Sequence, residues 1–319
     1  MLDALRARMG VVVGVGIFVL LGLLLIAGGE KDSLILGIIT GASYGFLALG
    51  IVLIYKSSGV FNFAQGEFGT VAVYVLYLLH FDMPYGFALL GAIVSAVLLG
   101  ILVERLVVRP LFHAPRVILL VATAGVALLC TGVELWWGEA TGRPIDRALP
   151  TLDRVSILGV QVSDQRLLLI ATLAVLALLL AWFFNRTNLG LAILGASQEP
   201  TATELMGISV RRLSTITWGL AALLGGLAGV LAIPEGGAFT PGILTARFLI
   251  PAFTAAVLGG MTSLPGAFLG GIIVGVVQSV ATSADVFDDI PGTPGTLMVF
   301  IVLLVVLVIR PQGLLGKAA

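Results

Sequence analysis

Charged residues are scarce in this chain, and net charge is absent. Charged side chains make up 11% of its 319 residues, and the 17 basic and 17 acidic residues cancel. A soluble domain averages about 25% charged and about 45–50% apolar residues, whereas hydrophobic residues reach 59% here. A balanced charge gives no support for a nucleic-acid partner. The composition therefore predicts an integral membrane protein.

Cysteine and histidine are almost missing. Cys130 is the only cysteine, which excludes an internal disulfide and a cysteine-cluster metal site. The two histidines, His80 and His113, lack the spacing of metal ligands. We therefore predict no metal site on this chain.

Catalytic and nucleotide-binding motifs are also absent. The sequence has no G-x-S-x-G elbow, no H-E-x-x-H and no pair of intramembrane aspartates beside a proton donor. The phosphate-binding pattern G-x-x-x-x-G-K-[ST] is not present either, because the nearest string, residues 314–318, lacks the upstream glycine and the hydroxyl. We predict no catalytic residue and no cofactor on this chain, so that any ATP must be bound by another chain.

Long apolar runs, by contrast, are plentiful. A helix that crosses the hydrocarbon core needs about 20 apolar residues, with a range of roughly 17–25. The candidate spans are 11–28, 33–54, 66–80, 85–108, 117–137, 166–184, 213–233, 248–262, 266–284 and 294–309. The third and the eighth are short, which is typical of broken or re-entrant segments. The predicted fold class is all-α: one polytopic membrane domain over 1–319, with about 8–10 transmembrane helices and one or two broken or re-entrant segments.

The N-terminal run is interpreted as a retained span. It is somewhat long for the apolar region of a secretory signal, and no A-x-A-like cleavage site follows it. Residues 1–30 then form an additional first span. With ten crossings, Lys and Arg are more numerous on the N-terminal side, so both termini are predicted to be cytoplasmic.

A hydrophilic loop over residues 185–212 falls on the predicted cytoplasmic side. Thr187 or Asn188 is suited to cap a short helix that ends at Gly207. Several residues interrupt its apolar pattern: Gln198, Glu199, Pro200 and Glu204. We predict a short helix at the membrane surface rather than a crossing.

Glycines inside the predicted spans recur at short spacings. Examples are Gly225, Gly226 and Gly229 in one span, and Gly266 and Gly270 in another. Small residues at such spacings let helix backbones approach closely in a membrane. These glycines are predicted to serve packing.

Few charged side chains lie inside the spans. Glu104 and Arg105 are predicted to form an ion pair at the cytoplasmic interface, and Glu134 precedes two tryptophans at an outer aromatic belt. Glu67 begins the short third span, where a charge costs roughly 2.5–3.5 kcal/mol on insertion scales. A charged residue at that depth indicates a functional site.

The string Asn62-Phe63-Ala64-Gln65-Gly66-Glu67 surrounds this carboxyl group. We predict that Asn62, Gln65 and Glu67 line a solute pathway or form the hinge that gates it. The alternative is that Asn62 and Glu67 simply satisfy the backbone donors of a broken helix.

Several strings, taken in order, resemble one family: the permeases of high-affinity branched-chain amino acid ATP-binding-cassette importers. They span about residues 34–316. The strings are Asn62–Glu67, Glu104-Arg105-x-x-x-Arg109-Pro110, Gly190 through Gly207-Ile208, Phe253–Gly260, Pro265–Gly271 and Arg310–Gly316.

The resemblance implies a permease that forms half of a translocation pathway in a bacterial inner membrane. Expected partners are a second permease subunit, the same chain or a different one, two cytoplasmic ATP-binding subunits that use ATP and Mg, and an extracytoplasmic solute-binding protein. The loop 185–212 would be the coupling element that docks on an ATPase. Its expected contact residues are Gly190, Gln198, Glu199, Glu204 and Gly207.

Three features depart from the family pattern. The family usually has His where this chain has Gln65, so a titratable group is replaced by a neutral amide. Leu191 and Leu194 stand where the family's coupling helix usually carries arginines. Residues 1–30 lie outside the pattern of the shorter permeases.

The residues alone also fit a second class, a stand-alone secondary transporter or channel for a small polar solute, because broken helices and polar residues at mid-membrane depth suit both. The hydrophilic loop 185–212 and the lack of charged relays through the spans favour the ATP-coupled class. An intramembrane enzyme is the least favoured, since no nucleophile–base pair is found.

Overall fold

The structure, a computed structural model, describes residues 31–112, 114–138, 142–145, 155–157, 160–284 and 293–316. The first predicted span, 11–28, and the whole segment 1–30 lie outside the described residues, as does His113.

The described residues are predominantly helical, and each of the nine other predicted spans corresponds to a helix. The helices are α1 Lys31–Ser58, α2 Gln65–His80, α3 Tyr85–Val103, α4 Arg116–Gly138, α5 Asp164–Arg186, α6 Asn188–Gln198, α7 Pro200–Leu205, α8 Val210–Ala232, α9 Ile243–Gly259, α10 Leu264–Ser283 and α11 Pro294–Ile309. Six of them are long and apolar enough to cross a membrane: α1, α3, α4, α5, α8 and α10. The third and eighth spans are short, as predicted, with 16 residues in α2 and 17 in α9.

Strands are few and short. The strand β1 Arg143–Pro144 pairs antiparallel with β4 Ala238–Phe239, and β2 Val155–Ile157 pairs with β3 Val160–Val162. The β1–β4 pair ties the segment after α4 to the segment after α8.

The helices divide into a central and a peripheral group. In the apolar 18-residue stretch of each helix, 78% is buried inside the protein in α1 and 72% in α8. In α5 only 22% of the corresponding stretch is buried. A helix that is apolar all round and buried belongs to the centre of a bundle. The peripheral helices α3, α4 and α5 leave apolar faces outside, as expected for a protein surrounded by lipid or by other transmembrane helices.

Glycines bring the backbones of α1 and α10 into contact. A Cβ atom on Gly41 would lie 2.6 Å from Gly271 O, and one on Gly271 would lie 2.5 Å from Gly45 Cα. Gly37 is equally tight, with 2.6 Å to Val276 Cα. No side chain fits at these positions, so the two helices touch through their main chains.

The glycines singled out by spacing serve the same purpose. A Cβ atom on Gly69 of α2 would lie 2.5 Å from Gly225 O of α8, and one on Gly226 would lie 2.8 Å from the Cβ of Ala96 on α3. Gly266 and Gly270 lie directly against the backbone of α9. The predicted packing role is confirmed for these positions.

A cluster of polar side chains joins the end of α3 to the first turns of α8. Its ion pair differs from the predicted one. Glu104 pairs with Arg109 at 2.9 Å, while Arg105 is exposed, so the predicted Glu104–Arg105 pair is wrong. The reason is local geometry: residues Glu104–Val108 form a π-helical turn, in which Arg109 N donates to Glu104 O at 2.7 Å. The wider turn brings residues five apart toward one face. Thr215 of α8 completes the contact by donating to Glu104 Oε2 at 2.9 Å.

The C-terminal segment, residues 310–316, completes the end of α9. Leu314 N donates to Leu258 O at 2.7 Å, and Leu315 N donates to Gly259 O at 3.0 Å. The last carbonyls of a helix have no partner within it. The string Arg310–Gly316 therefore has a structural explanation as the cap of α9.

The contact between α1 and α10 predicts a specific sensitivity to one methyl group. We expect Gly41→Ala to destabilise the folded protein by about 1–3 kcal/mol or more, because the new Cβ meets backbone atoms that cannot move independently. The measurement is thermal unfolding of the purified protein in detergent.

The matched control is Gly132→Ala in α4, where an added Cβ has nothing within 4 Å. Alanine is the better helix former, so this change is expected to be neutral or slightly stabilising. Equal losses for the two variants would contradict the close-contact explanation.

Candidate functional site

The chain between α1 and α2 runs through the protein without regular structure. Gly59 turns the chain with φ +66°, and Val60, Asn62 and Ala64 are buried. Irregular backbone at membrane depth is tolerated only where protein or a water-filled cavity covers it. The prediction of a broken entry into the third span is confirmed in this form, with the start of α2 enclosed by neighbouring helices.

Asn62 satisfies the backbone at this break. Its Oδ1 atom accepts a hydrogen bond from Ala64 N at 3.0 Å, and its Nδ2 donates to Gln65 Oε1 at 3.4 Å. An asparagine that bonds its own chain two residues on stabilises such a turn. This contact agrees with the simpler interpretation of Asn62.

Gln65 joins three helices. Its side chain is fully buried and lies directly against Gly50 of α1, where any side chain would displace it. Its Nε2 donates to Ala221 O of α8 at 2.9 Å, while its Oε1 accepts from Asn62. An amide can donate and accept at once without changing its charge, so the junction of α1, α2 and α8 is held by a neutral group.

Thr123 of α4 holds the same segment from the other side. Its Oγ1 accepts from Phe63 N at 3.2 Å and lies 3.3 Å from Phe61 O. The side chain is fully buried. Thr123 therefore supplies the hydrogen-bond partner that the irregular backbone cannot find within a helix.

Glu67 lies two residues after Gln65 in the first turn of α2, near a second glutamate, Glu134. Its Oε1 accepts from Thr131 Oγ1 at 3.3 Å and would lie 3.7 Å from a Cβ atom on Gly242, the residue that Glu134 also contacts. Both glutamates are buried, with 0% and 5% exposure. The prediction of an interfacial, aromatic-belt position for Glu134 is wrong, because its side chain points into the bundle.

The two carboxyl groups meet where α9 begins. Glu134 Oε2 accepts from Gly242 N at 2.8 Å, and Gly242 has φ +64°, a conformation that favours glycine. The first turn of α9 packs tightly on that of α2, since a Cβ on Gly66 would lie 2.6 Å from Thr245 N. Carboxyl groups at helix N-termini are favoured by the helix dipole, and both glutamates have this placement.

The periodicity of α4 indicates that Glu134 is buried, although its position beside two tryptophans suggested otherwise. The buried face of α4 carries residues at spacings of three and four: Leu119, Thr123, Ala127, Cys130 and Glu134. Glu134 continues the stripe that contains Thr123, so helical periodicity puts both on one face.

The structure thus separates the predicted site residues into two adjoining groups. Asn62 and Gln65 bond to each other, whereas Glu67 belongs to the pair with Glu134. Glu67 accepts a side-chain hydroxyl, and Asn62 accepts a backbone donor. A role of the three residues in a pathway or gate stays a prediction.

The loop 185–212 contains two short helices instead of one. Thr187 caps α6, because its Oγ1 accepts from Gly190 N at 3.0 Å. Glu199 ends α6 and precedes Pro200, the first residue of α7. Gly207 follows α7 with φ +79°, as a helix-stopping glycine should.

Only part of this loop is free to meet another protein. Ile193 and Ala196 are buried against the bundle, and Gly190 is also buried, in contact with Phe183 O. Most residues of the segment 198–207, called the tip here, are exposed, with Leu205 85% and Met206 78% exposed, although Thr203 within it is buried. Four of the predicted coupling residues, Gln198, Glu199, Glu204 and Gly207, are exposed in this tip.

The described part of the chain holds no cluster of three or more His, Cys, Asp or Glu that would suit a metal ion. Of the two glutamates, Glu67 accepts from the Thr131 hydroxyl and Glu134 accepts from the Gly242 N–H, which cannot bind a metal ion.

Comparisons with known proteins point to one family. Residues 33–309 match the family model described as the permease component of branched-chain amino acid transport systems. The chain is 31% identical to the high-affinity branched-chain amino acid transport permease BraD of Pseudomonas aeruginosa, over 90% of this chain and 95% of that protein. It is 28% identical to the LivH permease of Escherichia coli K12, over 88% and 94%.

One solved structure has the same fold. It is PsaBC from Streptococcus pneumoniae in complex with Fab, with a TM-score of 0.50 and 17% identity, over 91% of this chain and 96% of that one. At this identity the likeness concerns the fold alone.

The support that Thr123 gives to the irregular segment yields a prediction. In Thr123→Val, the Phe63 N–H loses its acceptor in a partly buried hydrogen bond, which we expect to cost about 0.5–1.5 kcal/mol of stability. The measurement is the midpoint of thermal unfolding in detergent.

The control is Thr282→Val in α10, an exposed position whose hydroxyl donates to Gln278 O of its own helix. We expect this variant to match the wild type. An unchanged midpoint for Thr123→Val would show that the segment does not depend on this side chain.

Proposed function

The chain belongs to the family of branched-chain amino acid transport permeases, and we propose that it forms half of the translocation pathway of an ATP-binding-cassette importer. The solute is a branched-chain amino acid or a related small solute, delivered by an extracytoplasmic binding protein. The observation that carries the proposal is the family match across residues 33–309. Its relatives are multi-pass transport subunits of the inner membrane, not enzymes.

The partners follow from the class of machine. The proposed assembly has a second permease subunit, identical or different, and two cytoplasmic subunits that bind ATP and Mg. This chain carries no phosphate-binding loop, so the energy for transport comes from those subunits and is delivered through a protein contact.

The tip at residues 198–207 is the proposed point of that contact. Leu205 and Met206 project two apolar side chains from a short helix, with Glu204 beside them. Apolar side chains exposed outside the apolar spans favour burial in a partner's groove. The adjoining α6 packs on α1, α5 and α8, so a movement of the tip passes directly to the helices at the centre of the bundle.

Orientation rests on the charges at the two ends. Arg109 Nη2 lies 3.5 Å from Arg211 O at one end, and Arg166 pairs with Glu235 at 2.7 Å at the other. The end with Arg109 and Arg211 also carries the loop with the tip. The positive-inside rule supports a cytoplasmic location for this end and for both termini.

Asn62, Gln65 and Glu67 are proposed to act at the gate rather than as catalysts. They lie at the break before α2, where α1, α2, α4, α8 and α9 meet. A break held by single hydrogen bonds is a natural hinge, because few contacts must change for the flanking helices to move. The alternative of a stand-alone secondary transporter or channel is disfavoured by the family membership.

The class of transporter is tested by uptake of labelled leucine into proteoliposomes that contain the permease with its ATPase and binding-protein partners. We expect uptake only with ATP on the ATPase side and with the binding protein on the opposite side. Uptake that needs neither would favour the secondary transporter or channel.

Glu67→Gln tests the gate in the same assay. The amide keeps the shape and the acceptor oxygen for Thr131 but cannot exchange a proton, so we expect assembly to be normal and the uptake rate to fall at least several-fold. Normal uptake by Glu67→Gln would remove this residue from the mechanism.

Glu204→Lys tests the coupling contact. Reversal of the charge on the tip is expected to weaken the association with the ATPase and to lower stimulation of ATP hydrolysis by the loaded binding protein. Glu204→Gln is the matched control, because it removes the charge and keeps the shape. Unaltered association and ATPase stimulation in Glu204→Lys would contradict a contact at this position.

A further inference from the structure

A carboxyl pair lies in the interior of the bundle without an obvious reason to be there. Glu67 is in the first turn of α2 and Glu134 in the last turns of α4, and their carboxyl groups meet at Gly242. Glu134 Oε2 accepts the Gly242 N–H at 2.8 Å, and Glu67 Oε1 would lie 3.7 Å from a Cβ atom on Gly242. Two like charges in contact in a low-dielectric interior repel each other strongly. Membrane burial makes each ionised carboxyl still more costly, so some species must neutralise the pair.

The hydrogen bonds show which oxygens are already engaged. Glu67 Oε1 accepts from Thr131 Oγ1, and Glu134 Oε2 accepts from Gly242 N. The remaining oxygens, Glu67 Oε2 and Glu134 Oε1, are both buried and have no donor. Thr245 is also close to the Glu67 carboxyl group, but its hydroxyl makes no hydrogen bond of good geometry. One buried oxygen on each glutamate is therefore left without a donor.

We propose that Glu67 and Glu134 bind one proton between them, as a carboxylic acid that donates from one free oxygen to the other. One proton satisfies both unpaired oxygens and removes one of the two charges, and two carboxyl groups in close contact commonly share a single proton. The remaining negative charge lies at the N-termini of α2 and α9, where backbone N–H groups and helix dipoles stabilise it.

A metal ion suits this site less well. A cation needs oxygen lone pairs directed at it, whereas Thr131 and Gly242 direct hydrogens at the carboxyl groups. Two other titratable groups interact electrostatically with the pair, Tyr74 on α2 and Cys130 on α4. Arg143, in β1, interacts electrostatically with Tyr74. None of these facts supplies a third carboxylate for a metal site.

The shared proton has a mechanical consequence. It links α2, α4 and the start of α9, which are joined here by side-chain and N-cap contacts. Separation of these helices would break the acid–carboxylate bond, so movement at this junction is tied to protonation of the pair. This inference does not depend on which solute is carried.

The test is infrared spectroscopy of the purified full-length protein in lipid nanodiscs, with carbon-13 in the glutamate side-chain carboxyls. The stretch of a protonated carboxyl group is resolved from that of a carboxylate, and isotope labelling assigns it to glutamate. We expect the double variant, Glu67→Gln with Glu134→Gln, to remove a band area equal to one protonated carboxyl per chain. Each single variant is expected to remove no more than that area, because the remaining glutamate can keep the proton.

Glu104→Gln is the control, because Glu104 is also a buried glutamate but has Arg109 as its partner at 2.9 Å, and this variant should leave the band unchanged. A double variant that leaves the protonated band intact would mean that both glutamates are ionised, which overturns the proposal. A double variant that removes the area of two protonated carboxyls would mean two separate protons, which also overturns it. Thermal unfolding of each variant checks that the bundle is intact.

Discussion

The break in the backbone before α2 is the constraint on which the rest of the site depends. A chain inside a membrane must satisfy every N–H and C=O group without water, and residues 59–64 lack the ladder of a helix. Asn62 and Thr123 supply the partners that the helix does not. Helices α1, α4, α8 and α9 contact this segment or the first turn of α2 that follows it.

That crowding is possible because glycine removes side chains where helices meet. The α1–α10 contact and the α2–α8 contact are main chain against main chain at Gly41, Gly271 and Gly69. In lipid, the close approach of backbones replaces the hydrophobic effect as the source of packing energy. Gly50 has a different use, since it leaves room for the amide of Gln65. Glycines therefore permit both the close helix contacts and the buried polar side chain at this junction.

Packed helices connect the tip to the polar junction around Gln65. The tip projects from the bundle, while α6 beside it is packed on α1, α5 and α8. Gln65 connects α1 and α8 to the start of α2, and the carboxyl pair connects α2 to α4 and α9. The tip is therefore connected to the polar junction by helices in direct contact. Contacts of this kind can carry energetic coupling between two distant sites.

Sequence patterns alone determined the class and the outline of this protein. Apolar run lengths located nine helices, glycine spacings located the tight contacts, and ordered strings pointed to the permease family. Those signals are local, because run length, periodicity and spacing belong to one stretch of chain. Only the tertiary structure decided which polar groups meet: Glu104 with Arg109 instead of Arg105, and Glu67 with Glu134 across two helices. Such partners are set by how separate helices rotate and by a π-helical turn or an αL glycine at their ends, and no single stretch of sequence carries that information.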